Sequence, residues 1–392
     1  MLQTESTIPL KSLLFFFHGA NAILISFLPI YLEFVGLKGS EIGWVMAIGP
    51  MSSIIAQPFW GYMSDKYQTV KRMVLICLGG LLLSTLVFFQ MTALATILIM
   101  AAIFYFFVSP IGALSDSLAQ RKSVQLGVNF GSIRTWGSIG FAVSALIFGE
   151  ILGRVGIQHI MWPYFSFGII AFISCLFLTD VKVEKDVSIQ LSDVKQLLQN
   201  KPLIIFLVLI MFITITHRAS DSFLGLYITR IGGSEGLVGL SWFIGVASEA
   251  AVFAFAGLWF KKYHPLIFII GAGILYSTRW FIYSFISDPI IITGFQFLHG
   301  LSFGVFYLAA FDYVSRLIPT SLQATGHLLF VTVFFGVSGI FGSLFGGFLI
   351  DSYGGGMMYF ILGWSSLIGV ILLTVYHILP YGKEITPLKQ KG

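Results

Sequence analysis

Acidic and basic side chains interrupt stretches that are otherwise apolar: Asp116, Arg134, Arg218, Asp221, Glu249 and Arg279. Arg134 lies about two helical turns into Gly127–Gly149, GVNFGSIRTWGSIGFAVSALIFG, and Asp116 closes the apolar run before it. A charge held in hydrocarbon costs roughly 2.5–3.5 kcal/mol on insertion scales unless it faces a partner or a wet cavity. Gly131, Ser132, Gly137, Ser138 and Gly140 keep the helix around Arg134 thin enough for a solute or another helix to approach. The pair is therefore either a binding device or an inert staple between neighbouring helices. HRASD places His217, Arg218 and Asp221 on one helical face. Glu249, Arg279 and His299 each stand about 9–15 residues into their own runs, which puts them at similar depth. Titratable groups at one depth suit a proton relay or a charged-substrate site. With Arg134 matched by Asp116 and Arg218 by Asp221, Glu249 is left to Arg279 and His299. It is the expected proton carrier, with His299 the runner-up and a static Glu249–Arg279 pair the alternative. His18 and Asn21, one turn apart, face inward from the first run.

The elements that must position these groups are membrane helices. The chain has 392 residues, 57% hydrophobic and 10% charged, which excludes a water-soluble domain. Twelve apolar runs are each long enough to cross about 30 Å of hydrocarbon as helix. They cover about 10–34, 42–62, 73–91, 94–115, 127–149, 160–179, 202–226, 237–260, 265–287, 290–313, 321–349 and 357–379. Strand-period alternation is absent, so a barrel is not expected. The polar segment 180–201, DVKVEKDVSIQLSDVKQLLQNK, divides the chain into six-helix halves, 1–179 and 202–392. It reads as a solvated linker carrying a short amphipathic helix.

The net charge of +5 is a matter of placement. With the N-terminus inside, sixteen of the 22 Lys and Arg fall on the cytoplasmic side, and only Lys38, Arg154 and Arg230 face outward. That is the positive-inside bias of a multi-pass inner (plasma) membrane protein with both termini cytoplasmic. Nucleic acid is not an expected partner. Cys77 and Cys175 sit in apolar runs and read as buried thiols. Pro9-Leu10-Lys11 leads into a run long enough to span, so no cleaved leader is expected.

At the end of the second run, QPFWGYMSDKYQTVKR sets Gly61 four residues before Asp65-Lys66, with Lys71-Arg72 opening the next helix. Asp65 at a helix end can meet a neighbouring helix N-terminus or that basic pair. This resembles the loop 2–3 signature of the major facilitator superfamily, where Gly61, Asp65 and Lys66 would form a conformational latch. The second half echoes the first. Gly257 stands where Gly61 does, Lys261 replaces Asp65, and Gly149, Gly153, Gly156 match Gly347, Asp351, Gly354 in spacing. Such symmetry suits paired six-helix repeats.

Asp116 precedes Arg134 by 18 residues and Arg279 precedes His299 by 20. With FGSIRTWGSIG and LLQNKPL, these spacings resemble the lactose permease-like branch and its nucleoside and aromatic-acid relatives. The resemblance implies an all-α polytopic protein of twelve helices in two bundles. It implies a central cavity lined by spans 1, 4, 5, 7, 8 and 10, a monomeric working unit, and solute:proton symport. Asp116 and Arg134 would contact substrate, with Phe141, His18 and Asn21 nearby. Glu249, Arg279, His299, Asp221 and Arg218 would belong to the coupling network. Three departures stand out: Ser302 where the branch has its proton-carrying glutamate, Phe141 for a sugar-stacking tryptophan, and Gln296 for a lysine. A galactoside substrate is therefore not expected. A drug/proton antiporter or a lipid flippase is the alternative within the same fold. An enzyme is not expected: GLSFG, Gly300–Gly304, matches a hydrolase pattern only on paper, since that motif needs a strand–turn–helix elbow. No P-loop, H-E-x-x-H or cysteine metal pattern appears, so neither cofactor nor metal is implied.

Overall fold

The structure is a computed structural model that describes residues 6–180, 191–260 and 263–379; the side chains of 191–194, 259 and 324 lie outside the described set. Among the described residues, twelve helices are long and apolar enough to cross a membrane. Spans 1 to 6 are Ile8–Phe34, Gly39–Lys66, Val70–Phe88, Leu94–Leu126, Phe130–Val155 and Ile157–Leu176. Spans 7 to 12 are Lys201–Arg230, Glu235–Leu258, Pro265–Phe285, Pro289–Leu317, Thr325–Ser352 and Gly354–Ile378. The protein is an all-helical, multi-pass membrane protein of two six-helix bundles. A short helix, Leu191–Leu198, lies in the linker, whose residues 181–190 are outside the described set.

By packing, the chain divides into two compact units. One is Met1–Asp186 with Ser222–Phe243; the other is Val187–Asp221 with Ile244–Gly392. In the first unit, span 1 packs against spans 5 and 6, and span 4 against spans 2 and 3. The contact between spans 1 and 5 is a backbone contact. A Cβ at Gly140 would lie 2.2 Å from the Phe15 carbonyl oxygen, so only glycine permits this approach. Span 4 ends at Gly127, whose φ of +66° closes the helix in the left-handed region. Asn129 then caps span 5 by accepting from the Gly131 N–H at 2.7 Å. In the second unit, span 9 packs against spans 10 and 12, and span 11 against span 12.

Span 10 is irregular. It runs from Pro289–Gly294 as α-helix through a 3-10 turn at Phe295–Phe297 and a π-helical stretch at Gly300–Gly304 before resuming at Val305. GLSFG is thus π-helix inside a membrane span. Span 11 carries a second π-helical stretch, Thr332–Val337. Such segments rotate the side chains that follow them relative to a regular helix. Cys77 and Cys175 are both buried and unbridged.

Candidate functional site

In the first unit, spans 4 and 5 bring Asp116 and Arg134 together. Arg134 Nε lies 2.9 Å from Asp116 Oδ1 and 3.1 Å from Oδ2, with each side chain about one-third exposed at 34% and 37%. The N–H is aligned on Oδ2, so the buried Oδ1 accepts no aligned bond. One edge of the guanidinium therefore serves Asp116. Among the described residues, its terminal nitrogens find no acceptor. Gly137 explains how the group is held: a Cβ there would meet Arg134 Nη1 at 2.7 Å and the His18 ring at 2.6 Å. The two polar side chains flank the same bare patch of span 5. His18 Nε2 is buried and, among the described residues, has no hydrogen-bond partner. Asn21, one turn along span 1, is half-buried. Two turns along span 5 from Arg134, Phe141 meets Trp242 with ring centroids 5.8 Å apart. Trp242 was not among the residues expected from sequence, because an aromatic side chain in an apolar run carries no signal beyond ordinary packing.

The second unit gathers the other polar groups. Arg218 Nη1 donates to Asp221 Oδ2 at 2.8 Å, and His217 Nε2 approaches the same oxygen at 3.4 Å. His299 Nε2 stands 3.9 Å from Glu249 Oε2. Arg279 corrects an expectation. It does not pair with Glu249, and among the described residues no carboxylate comes within 4 Å of it. It donates instead to Ser302 Oγ at 2.8 Å and Gln296 Oε1 at 3.0 Å, with its guanidinium 4.9 Å from the centre of the Trp280 ring. Irregular span 10 presents Gln296, from its 3-10 turn, and Ser302, from its π-helical stretch, to span 9, while His299 between them meets Glu249 on span 8. Asp312 and Arg316 form a local pair at 3.0 Å.

The loop after span 2 also departs from expectation. Asp65 and Lys66 are the last two residues of span 2, at the helix end as expected, and both are exposed. Asp65 does not meet the N-terminus of span 3. Asp180, just beyond span 6, does: it accepts from the Lys71 backbone N–H at 3.1 Å and from the Thr69 hydroxyl. Lys71 Nζ donates to the Leu176 carbonyl at 2.8 Å. Asp65 and Gly61 line a cleft of about 210 Å³ with Gln57, Ser117 and Arg121. Lys66 Nζ hovers 5.7 Å from the Tyr67 ring. Lys261, the counterpart position in the second half, lies outside the described residues.

Twelve membrane helices in two bundles, with charged side chains held inside them, define a membrane transporter. Comparison with known proteins places it further: residues 7–361 match the model described as "MFS_1 like family", and the chain belongs to that family. It is 29% identical over 365 residues to the uncharacterized transporter YwbF of Bacillus subtilis (strain 168), covering 93% of this chain and 91% of that one. It is likewise 29% identical over 369 residues to the maltose permease of Geobacillus stearothermophilus, covering 92% and 91%. The crystal structure of the nucleoside transporter NupG superposes with a TM-score of 0.87 at 15% identity, covering 96% of this chain and all of that one. That last likeness speaks for the fold alone.

Proposed function

We propose that this transporter is a proton-coupled symporter that takes up a small polar organic solute, a sugar, nucleoside or aromatic acid, by alternating access. The observation that carries the reading is the division of labour on Arg134. Its Nε is held by Asp116, and its terminal nitrogens are left for a ligand. A planar guanidinium so anchored offers two parallel donors, a geometry that hydroxyl pairs and carboxylates accept and that a lysine cannot present. His18, with a buried unpartnered nitrogen, and Asn21 and Phe141 on the facing surfaces complete the substrate contacts. The relative named a maltose permease supports the solute class.

Coupling is assigned to Glu249 with His299, and to Asp221 with Arg218. These are carboxylates inside spans with partners close enough to feel a change of charge. Arg279 acts on them at longer range. Gly61, Asp65 and Lys66 form the latch. The positive-inside bias orients both termini to the cytoplasm of the inner membrane, and the working unit is a monomer.

The purified protein in proteoliposomes tests this with radiolabelled maltose, uridine and phenylacetate as probes. An imposed pH gradient should drive accumulation of one of them above equilibrium, and a protonophore should abolish it. If none accumulates, the symport reading falls. Accumulation driven only against the direction of proton flow marks an antiporter instead.

A further inference from the structure

His217 occupies a place that packing does not require to be polar. It is 2% exposed, on span 7, with its ring stacked on Phe303 at 4.8 Å and 16° and set edge-on to Phe334 at 5.9 Å. Phe303 belongs to the π-helical stretch of span 10 and Phe334 to that of span 11. Both distorted segments therefore close on this one imidazole. A phenylalanine would fill the same sandwich. The ring instead carries a buried Nδ1 that, among the described residues, has no hydrogen-bond partner, an unfavourable state for a polar group. Its other nitrogen, Nε2, faces Asp221 Oδ2 at 3.4 Å. On its other side stands His299, with ring centroids 5.6 Å apart, and His299 Nε2 in turn faces Glu249 Oε2 at 3.9 Å.

We propose that His217 is a proton-relay residue joining the two carboxylates of the second unit in the order Glu249, His299, His217, Asp221. The proposal rests on the proton-coupled reading above and adds the route. Protonated Glu249 gives its proton to His299 Nε2, breaking the O–H bond and leaving the carboxylate. The resulting imidazolium passes the proton on its other nitrogen to His217 Nδ1 through one bridging water. His217 then releases the proton on Nε2 to Asp221 Oδ2. One proton has moved, and both imidazoles end neutral in the opposite tautomer, ready to be reset by ring rotation. Arrival at Asp221 cancels the charge that holds Arg218 at 2.8 Å, which ties the proton's position to an ion pair on span 7.

The titratable and charged groups around the ring are Asp221 and Arg218 from its own helix, His299 from span 10, Glu249 from span 8 beyond it, and Arg279 and Tyr276 from span 9.

His217→Phe keeps the sandwich and removes both nitrogens; His217→Gln keeps polarity and removes the relay. In proteoliposomes, with the probe that the wild type accumulates, both variants should keep counterflow exchange near the wild-type rate. Both should lose pH-driven accumulation by about tenfold or more. Accumulation retained by either variant overturns the relay and leaves His217 a packing residue. Loss of counterflow in both overturns it too, by showing a structural role. A wild type that exchanges a probe but never accumulates it removes the symport reading itself, and the relay with it. That result differs from one in which the wild type accumulates and the variants do too.

Discussion

Arg134→Lys is the sharpest test of the substrate site. The wild-type guanidinium holds Asp116 through Nε and leaves Nη1 and Nη2 as a fork. A lysine can reach Asp116 or the ligand with its single ammonium, but not both in one plane. Each hydrogen bond to a charged group is worth about 1.5–3 kcal/mol, so losing one from the bound state weakens binding roughly ten- to a hundredfold. Folding should suffer far less. The ion pair is about one-third exposed on both sides, which screens it to about 1 kcal/mol or below. For a chain of this size that is a melting shift of about 2 °C or less. Equilibrium binding of the accumulated probe to purified protein, beside a thermal melt in the same detergent, separates the two quantities. A Kd within about twofold of wild type refutes the clamp and leaves a staple. So does a large drop in melting temperature with binding unchanged in the folded fraction.

Four further outcomes follow from the same geometry. Gly140→Ala must push span 1 off span 5, since its Cβ would sit 2.2 Å from a backbone oxygen; the overpacking cost, about 1–3 kcal/mol, exceeds the gain in helix propensity and should lower the melting temperature. Gly61→Ala is the control: nothing lies within 4 Å of its Cβ, so it should be neutral or stabilising by up to about 1 kcal/mol in the same melt. Asp180→Ala should destabilise the start of span 3 by about 0.5–2 kcal/mol, whereas Asp65→Ala should leave thermal stability unchanged, because Asp180 joins Thr69 in capping that helix and Asp65 does not. Glu249→Gln should preserve counterflow, because a neutral amide mimics the protonated acid, while abolishing pH-driven accumulation in proteoliposomes; full accumulation would move the carrier to Asp221 or His299.

Composition and run length alone establish twelve membrane helices. Helix in a bilayer is a local property: with no water to satisfy them, backbone groups must bond within each segment, and apolar length sets the span. The pairing of Asp116 with Arg134 was legible for a related reason. Two opposite charges in adjacent spans have few other places to go, and Gly137 and Gly140 announced a close approach. The same elimination failed for Arg279. Matching the other charges off leaves Glu249 as its partner, but the irregular span 10, with a 3-10 turn from Phe295 and a π-helical stretch from Gly300, supplies Gln296 and Ser302 instead. No residue in that stretch signals a π-helix by its type. Asp180 was hidden likewise: it reads as the first residue of a polar linker, and only the folding of span 6 beside span 3 makes it a cap. Trp242 and His217 belong with these. Each sits in an apolar run, where an aromatic ring is ordinary, and its significance comes from neighbours distant in sequence: Phe141 for one, Phe303, Phe334 and His299 for the other. Local chemistry thus determined which segments cross the membrane and which charges needed partners. Only tertiary packing decided which partners those charges found, because a π-helical stretch or a chance neighbour changes side-chain direction without changing the sequence signals that precede it.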